Sequence, residues 1–452
     1  MSETNETEQP QDLVSPFVKV LEEGNTVQLG TMLEDLYPAE IAHILESLTR
    51  DQRETVWQQV EADKHGEVLI LVNDAVRDGL MQDMHPQELV AATEGLETDD
   101  LADILLDLPD AVISEVLQSM DEQDRKRLEA VLSYDEDSAG GLMNTDTITV
   151  RADVSLDVVL RYLRRHTEVP AMTDSLIVVN RDDKYVGTIA LTDLLINDLQ
   201  LKVSDILRQD REAIPATMSV RDVANLFEHR DLVSAPVVDS DNKLLGRITI
   251  DDVVDVIREE ADHSFMSMAG LNEEDDMFAP VIKSTRRRSI WLGVNLITAI
   301  AASWVIGLFD ASIEKLVALA VLMPIVASMG GIAGSQTLTL VIRGMALGTI
   351  GESNIQRIII KETLVGIMNG MIWALVIAAV AIFWFDNLDI GFIIAAAILI
   401  TLIIAALSGA IIPLVLRKMG ADPALAGSVI LTTVTDVIGF LTFLGLATLF
   451  LI

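Results

Sequence analysis

The sequence has no cysteine, which excludes disulfide bonds and thiolate metal sites from this chain. It also has no P-loop and no arrangement of a nucleophile with a base, so we expect it not to be an enzyme. Basic residues are few: residues 1–288 contain 26 Lys or Arg against 61 Asp or Glu. Such an acidic surface repels nucleic acid and attracts cations, although solubility or salt adaptation would also explain it. We therefore expect no nucleic-acid partner.

Charge of either sign is scarce in residues 289–452, which contain six Lys or Arg and eight Asp or Glu. Five apolar runs, uncharged except for one aspartate in the last, fill this part, and each is long enough to cross a bilayer as a helix. They are Ile290–Phe309, Leu316–Ile342, Leu364–Phe385, Ile390–Leu416 and Ala424–Ile452. Basic residues collect before the first run, between the second and third, and between the fourth and fifth. Since basic loops stay cytoplasmic, we expect a multi-pass protein of the cell (inner) membrane, with a cytoplasmic N-terminus and a periplasmic or extracellular C-terminus.

Asp436 is the only charged residue between Ala424 and Ile452. A carboxylate inside a membrane helix is energetically costly, and such residues usually face a bundle interior or a watery path. The last run contains no Lys or Arg that could pair with it, so a solute cation is the obvious partner. A proton relay, or a hydrogen bond to Thr432 or Thr435, is the alternative.

The second apolar run is interrupted by Pro324 and by three glycines, Gly330, Gly331 and Gly334. Such residues free backbone groups that must be satisfied by neighbours or line a cavity. The other interpretation is close helix packing through small residues.

Residues 15–133 carry apolar residues at helical spacing throughout, which predicts an all-α domain. A Pro-x-Glu pattern recurs in Leu36–Leu45 and in Met84–Thr93, at positions typical of helix starts. The repetition indicates a small superhelical array, with an ordinary helical bundle as the alternative. We expect residues 1–14 to be a disordered acidic tail.

A stronger internal repeat follows, since Ser175–Leu195 aligns without gaps on the segment around Gly246 and Asp252. Each copy has a β run, a polar turn, a second β run and a helix start. The repeat resembles a tandem cystathionine-β-synthase (CBS) pair, in which a Gly-x-x-(Ser/Thr)-x-x-Asp pattern often holds a nucleotide such as ATP. The second copy has this pattern in Gly246, Thr249 and Asp252, whereas the first has Ala190 at the hydroxyl position. Simple helix capping is the alternative role of these aspartates.

The modules occur in the order found in the MgtE magnesium transporter family, which the chain resembles over nearly its whole length. The resemblance rests on YDEDSAGGLMNTDTI (Tyr134–Ile148), TDDLADIL, DDVVDV, the glycine-rich run, DPALAG and TTVTDVIGF. It implies a multidomain integral membrane protein. Its parts would be a superhelical all-α cytoplasmic domain in residues 15–133, an α+β tandem CBS pair in 134–258, a connecting (plug) helix in 259–288, and a transmembrane domain of five helices in 289–452.

The resemblance further implies a homodimeric, Mg²⁺-selective channel that imports Mg²⁺ and is closed by Mg²⁺ bound to its cytosolic domains. It places the pore carboxylate on Asp436 and another acid, Asp422, at the cytoplasmic start of the last helix. The regulatory Mg²⁺ would be held by cytosolic acids, namely Asp99, Asp103, Asp231, Asp252, Asp255 and Glu260. The alternatives are the same pore with broader specificity for Mn²⁺, Co²⁺ or Ca²⁺, or a membrane-anchored CBS sensor that does not conduct.

Two features depart from the family pattern. Ile332 and Ser335 stand in the glycine-rich run where asparagines are usual, which leaves fewer side-chain ligands on this helix. His263 and Ser264 stand in the connecting segment where acids are usual, so the sensor would have fewer or weaker Mg²⁺ sites or respond to pH.

Overall fold

The computed structural model describes residues 13–93, 96–106, 108, 110–120, 122–165, 169–208, 213–271, 277–279, 281–351 and 353–451. Most of the acidic tail predicted for residues 1–14 lies outside this part. The chain divides into two compact units, and each is described by itself. The first comprises Met1–Ala261 and Glu274–Ala279, and the second comprises Asp262–Glu273 and Pro280–Ile452.

The first unit begins with ten α-helices, as the apolar periodicity predicts. They are α1 (Val14–Glu23), α2 (Thr26–Glu34), α3 (Pro38–Glu46), α4 (Arg50–Trp57), α5 (His65–Leu71), α6 (Asp74–Asp83), α7 (Pro86–Thr93), α8 (Thr98–Leu106), α9 (Asp110–Ser119) and α10 (Glu122–Val131). The recurring Pro-x-Glu pattern starts two of them in the same way. The Tyr37 amide donates to Glu40 Oε2 at 2.9 Å, and the His85 amide donates to Glu88 Oε2 at 2.8 Å. These bonds satisfy amides that a helix start leaves without an intrahelical partner.

Two three-stranded sheets follow, one for each copy of the repeat. Their elements are β1 (Thr149–Arg151), α11 (Leu156–Leu163), β2 (Ser175–Val179), β3 (Tyr185–Ala190), α12 (Leu191–Ile196) and α13 (Val203–Ile206), then β4 (Ile214–Pro215), α14 (Val220–Arg230), β5 (Ser234–Val238) and β6 (Leu244–Thr249). In each copy the predicted hairpin is antiparallel, and its polar turn has a residue at positive φ, Asp183 or Asn242. A short parallel strand, β1 or β4, joins each hairpin, and these two strands were missing from the sequence prediction.

The two copies of the repeat are buried differently. The first copy has a core of its own, which includes Leu156, Leu176 and Ile189. The core of the second copy, with Phe227 and Ile248, is continuous with that of the helical domain. The second copy and the helical domain, which includes α8, therefore share one packed core.

The remaining helices are α15 (Ile250–Met268), α16 (Val281–Gly307), α17 (Asp310–Lys315), α18 (Ala318–Ala346), α19 (Ile355–Phe385), α20 (Leu388–Lys418) and α21 (Pro423–Leu451). The predicted connecting helix over residues 259–288 is divided. Its first part is the end of α15, a turn follows with Gly270 at φ 72°, and its last part already belongs to α16. The helix α15 also crosses from the first unit to the second, since the boundary lies after Ala261.

Within the described part of the second unit, five helices are long and apolar enough to cross a membrane: α16, α18, α19, α20 and α21. The third begins at Ile355, nine residues before the apolar run that predicted it. Helix α20 is the most deeply buried of the five and packs against α18, α19 and α21. Pro324 and Pro413 lie inside helices that continue through them.

Candidate cation sites

Asp436 lies in the middle of α21, half-buried within the single chain. Its carboxylate accepts no hydrogen bond and joins no ion pair among the residues that the structure describes. The neighbouring hydroxyls are used elsewhere: Thr432 Oγ1 donates to the Ser428 carbonyl at 2.9 Å, and Thr435 Oγ1 donates to the Thr432 carbonyl at 3.1 Å. The hydrogen bond to a neighbouring threonine, considered above as an alternative role, is therefore not formed here.

The glycines of α18 bring this helix close to α21 beside Asp436. A Cβ added to Gly330 would lie 3.4 Å from Thr435 Cβ, and one added to Gly334 would lie 2.9 Å from Leu431 Cδ1. These two glycines thus serve close packing, whereas a Cβ on Gly331 would meet no atom within 4 Å. Ile332 and Ser335, the two departures from the family pattern, are exposed in the single chain.

Asp422 caps the start of α21. Its two carboxylate oxygens accept from the amides of Ala424, at 2.8 Å, and Leu425, at 3.2 Å. His263 Nε2, near the end of α15, lies 3.3 Å from Asp422 Oδ2. His263, which stands where the resemblance leads us to expect an acid, therefore contacts Asp422, an acid that the same resemblance identified.

A second group of acids lies in the first unit, where one loop holds α8 beside β6. Thr145 Oγ1 donates to Thr98 Oγ1 at 3.0 Å, and Asn144 Nδ2 donates to Glu97. The backbone of Asn144 exchanges two hydrogen bonds of 2.8 Å with Arg247 of β6. Since β6 leads directly into α15, the loop sets the first turn of α8 next to the first turn of α15.

This arrangement crowds carboxylates. Asp99 is only 7% exposed, and its Oδ1 is buried without a hydrogen-bond partner among the described residues. Its pKa is raised to about 9, first by burial and then by the nearby carboxylates of Asp252 and Asp100. Burial also raises the pKa of Asp252 to about 6, although hydrogen bonds from Thr249 partly oppose this. An all-oxygen group with an unpartnered buried oxygen fits a hard cation such as Mg²⁺.

Two further aspartates of α8 share this environment. The pKa of Asp100 is raised to about 7 by burial and by Asp252, and that of Asp103 is raised to about 7 by burial, against the attraction of Arg77. Asp100 was not among the predicted site residues, and its only signal was its place beside Asp99 in the motif. Among the described residues, no three His, Asp or Glu side chains are grouped closely enough to hold a metal ion.

The other predicted sensor acids take different places. Asp255 has a raised pKa, chiefly through burial, as does Glu259, which was not among the predicted residues. Glu260 instead forms an ion pair with Arg221. Asp231 ends α14 in the left-handed conformation at φ 50°, which is a helix-capping position. The structure thus places Asp99, Asp100 and Asp252 within electrostatic range of one another but not close enough for all three to ligate one ion, and the binding of a cation by any of the predicted acids stays a prediction.

The predicted nucleotide pattern in the second copy of the repeat forms a helix start. The amide and hydroxyl of Thr249 donate to Asp252 Oδ2 at 3.2 and 2.9 Å, and Thr249 is buried. A Cβ on Gly246 would lie 2.5 Å from the Asn144 carbonyl oxygen, so close backbone packing already requires this glycine. In the first copy, Asp193 pairs with Arg208 at 2.9 Å. Capping thus explains Asp252, and ATP binding at this pattern stays a prediction.

Comparisons with known proteins account for the same segments. Family models match residues 323–446 (MgtE, divalent cation transporter), 36–137 (MgtE intracellular N domain), and 139–198 and 203–259 (CBS domain). The magnesium transporter MgtE of Enterococcus faecalis is 30% identical over 324 residues, which are 72% of this chain and 71% of that protein. The chain belongs to the MgtE family.

Similarity to other MgtE proteins extends over almost the whole chain. The magnesium transporter MgtE of Bacillus subtilis is 27% identical over 97% of this chain and 98% of its own length. The magnesium transporter MgtE of Thermus thermophilus is 28% identical over 96% of this chain and 97% of its own length. A crystal structure described as the cytosolic domain of the Mg²⁺ channel MgtE in complex with ATP covers 53% of this chain and 98% of its own, with 29% identity and a TM-score of 0.49.

The predicted family and fold class are therefore confirmed: an MgtE N domain, a CBS pair with its sheets, and five apolar helices at the C-terminal end. Members of the MgtE family are named as transporters, which agrees with the expectation that this chain is not an enzyme.

Proposed function

We propose that this MgtE-family chain forms a Mg²⁺-selective channel that imports Mg²⁺ and closes when cytosolic Mg²⁺ binds its acidic N and CBS domains. The observation that supports it most is Asp436, a carboxylate in the middle of an apolar helix without a protein partner among the described residues. Mg²⁺ gives up its water reluctantly, so a single carboxylate per chain suits a hydrated ion. The membrane potential would drive import, at roughly 2.3 kcal/mol per charge per 100 mV.

The functional unit would be a homodimer. A two-fold axis places the same residue of each subunit on opposite sides of the axis. Two Asp436 carboxylates facing each other would neutralise one dication. The half-exposed position of Asp436 in the single chain is compatible with such a shared path.

The acids between α8 and α15 would supply the gate. Asp99, Asp100 and Asp252 repel each other when ionised, and burial makes their charge still less favourable. A hydrated divalent cation attracted to these acids would relieve both effects and favour the compact arrangement, without being ligated by all three at once. One site filled at 100-fold its dissociation constant stabilises that arrangement by about 2.7 kcal/mol.

Substitution of this acidic group should leave the channel open at high cytosolic Mg²⁺. We expect the Asp99→Asn, Asp252→Asn double variant to conduct at cytosolic Mg²⁺ concentrations that close the wild type, because the amides no longer attract the cation. The measurement is Mg²⁺ uptake into proteoliposomes, with Mg²⁺ varied on the cytoplasmic side. Asp241→Asn, in an exposed turn of the second CBS copy, is the matched control.

Each outcome of this experiment has a definite meaning. Closure of the double variant at wild-type Mg²⁺ concentrations would refute regulation through these acids. Absence of Mg²⁺ flux from the wild type under every condition would refute the channel and favour the non-conducting sensor. Competition by Mn²⁺, Co²⁺ and Ca²⁺ in the same assay measures the selectivity.

The stability of the first unit without Mg²⁺ should fall as the pH rises from 6 to 8. The folded pKa values of Asp100 and Asp103 are about 7 and that of Asp99 is about 9, all above the usual unfolded value of about 3.9. Between those values the folded state binds more protons than the unfolded one, so raising the pH removes stability. Limited proteolysis of the full-length protein should therefore be slower at pH 6 than at pH 8. Saturating Mg²⁺ should reduce this difference.

The Asp100→Asn, Asp103→Asn double variant provides the control for this pH dependence. Its amides do not titrate, so we expect slower proteolysis at pH 8 without Mg²⁺ and a smaller change between pH 6 and pH 8. An unaltered pH dependence in this variant would contradict the assignment to these two residues.

A further inference from the structure

Glu362 is a buried acidic residue within a candidate membrane span. It lies in the third turn of α19, is 5% exposed, and was missed because the predicted apolar run began after it, at Leu364. Ionisable residues within membrane helices are rare and usually functional, and they face the bundle interior beside a partner. No role assigned above uses Glu362.

Both carboxylate oxygens of Glu362 have partners. Thr337 Oγ1 of α18, itself 5% exposed, donates to Oε2 at 3.3 Å. Lys361 Nζ donates to Oε1 at 2.8 Å. The Lys361 side chain is 66% exposed, so the ion pair lies at the surface of the bundle. The hydrogen bond from Thr337 lies inside the bundle, because both of its residues are buried. The inner bond joins the second and third spans.

This bond matters because α18 and α19 touch each other directly at few places, and each packs mainly against α20. A Cβ added to Gly409 of α20 would lie 2.6 Å from the Gly334 carbonyl oxygen and 2.9 Å from Thr337 Cβ. A Cβ added to Gly366, one turn after Glu362, would lie 2.7 Å from Ala406 Cβ of α20. Thr337 and Glu362 therefore meet beside α20 and fix how the two outer helices are aligned along it.

The aligned segment of α18 is the one that packs beside Asp436. Thr337 lies three residues after Gly334, and Gly334 and Gly330 contact α21 at Leu431 and Thr435. A rotation or axial slip of α18 would change these contacts first. The position of Thr337 is thus coupled by one rigid helix to the wall beside the proposed pore carboxylate.

We propose that Glu362 is a positioning residue for conduction, which holds the glycine segment of α18 against α21 through its hydrogen bond with Thr337. This inference rests on the proposed channel function. Glu362 itself does not contact the ion. Its substitution should lower the maximal flux while Asp436 remains in place.

The flux test uses variants that separate the two partners of Glu362. Glu362→Leu and Thr337→Val should each lower maximal Mg²⁺ flux roughly tenfold, within the range measured for strong interhelical hydrogen bonds. Glu362→Gln and Thr337→Ser retain an acceptor or donor and should conduct nearly as the wild type. Lys361→Met removes only the exposed partner and is the matched control. The Glu362→Leu, Thr337→Val double variant should be no worse than either single variant.

A cross-linking test reports alignment without depending on flux. The chain has no cysteine, and a Cβ at position 330 would lie 3.4 Å from Thr435 Cβ, close to the separation of about 3.5–4.5 Å in disulfides. Gly330→Cys with Thr435→Cys would report this contact in the full-length protein, with Thr401→Ala added to remove the methyl 2.8 Å from the new Cβ. Oxidative cross-linking should slow when Glu362→Leu or Thr337→Val is added, and not with Lys361→Met.

The two tests distinguish the possible failures. If Glu362→Leu and Thr337→Val each leave both the flux and the cross-linking rate at their wild-type values, the positioning role alone is overturned. The role would also be overturned if the flux of the double variant fell by the product of the two single-variant reductions, because the two residues would then not act as a pair. If the protein shows no Mg²⁺ flux but its cross-linking still slows with Glu362→Leu, the channel function is overturned and the alignment role stands.

Discussion

Asp436→Asn should reduce Mg²⁺ flux by at least about a hundredfold. The amide is nearly the same size as the carboxylate but carries no charge, and the attraction of a dication to a nearby carboxylate at intermediate dielectric amounts to several kcal/mol. Each 1.4 kcal/mol corresponds to about tenfold. The measurement is Mg²⁺ uptake into proteoliposomes, and growth of a transport-deficient strain at low Mg²⁺ gives the same information in cells.

The matched control for this prediction is Asp389→Asn, an identical substitution at an exposed position in the first turn of α20. It should leave flux close to that of the wild type. Asp436→Glu keeps the charge and should retain more flux than Asp436→Asn. Full rescue of growth by Asp436→Asn would exclude the pore assignment.

Gly409→Ala should destabilise the membrane unit by about 3 kcal/mol, the upper end for overpacking a core. The new methyl group would lie 2.6 Å from the Gly334 carbonyl oxygen, a backbone atom that cannot rotate away. Only a separation of α18 from α20 can relieve this contact. Thermal unfolding of the purified protein in detergent measures the effect, together with the yield of folded protein.

Gly445→Ala is the control for that substitution, because a Cβ on Gly445 would meet no atom within 4 Å. It should be neutral or slightly stabilising, since alanine favours helix more than glycine does. Equal unfolding temperatures for the two alanine variants would show that α18 and α20 do not pack as closely as described.

The membrane helices could be predicted from the sequence because a run of apolar residues is a local signal. The residues at which the helices begin and end could not be predicted in this way. Helix α19 begins with polar and charged residues, among them Arg357, Lys361 and Glu362, which on a hydropathy scale look like a loop. The hydrogen bond from Thr337 of α18 and the ion pair with Lys361 compensate the burial of this glutamate. The same limit applies to β1 and β4, since strands of three and two residues are too short to show a period.

Sequence motifs could nominate candidate site residues, whose cation binding stays a prediction. The resemblance identified Asp99, Asp252 and Asp422, and the structure gives each a distinct environment. It could not separate Asp99 from Asp100, because the crowding of both depends on the loop around Asn144, which joins segments far apart in sequence. Nor could it foresee that Asp231 ends a helix and that Glu260 pairs with Arg221, since both facts depend on neighbours in space.

Asp252 both caps α15 and belongs to the crowded acids, and under the proposed gating this has a mechanical consequence. The carboxylate that starts α15 is also one of the crowded acids, so a cation drawn to it competes with the hydrogen bonds of Thr249. Helix α15 then runs unbroken from Ile250 to Met268, 19 residues or about 28 Å. A tilt of about 5° at the first turn would carry the far end of such a rod by about 2.5 Å. A small rearrangement at one carboxylate would thereby be converted into a displacement as large as a water molecule.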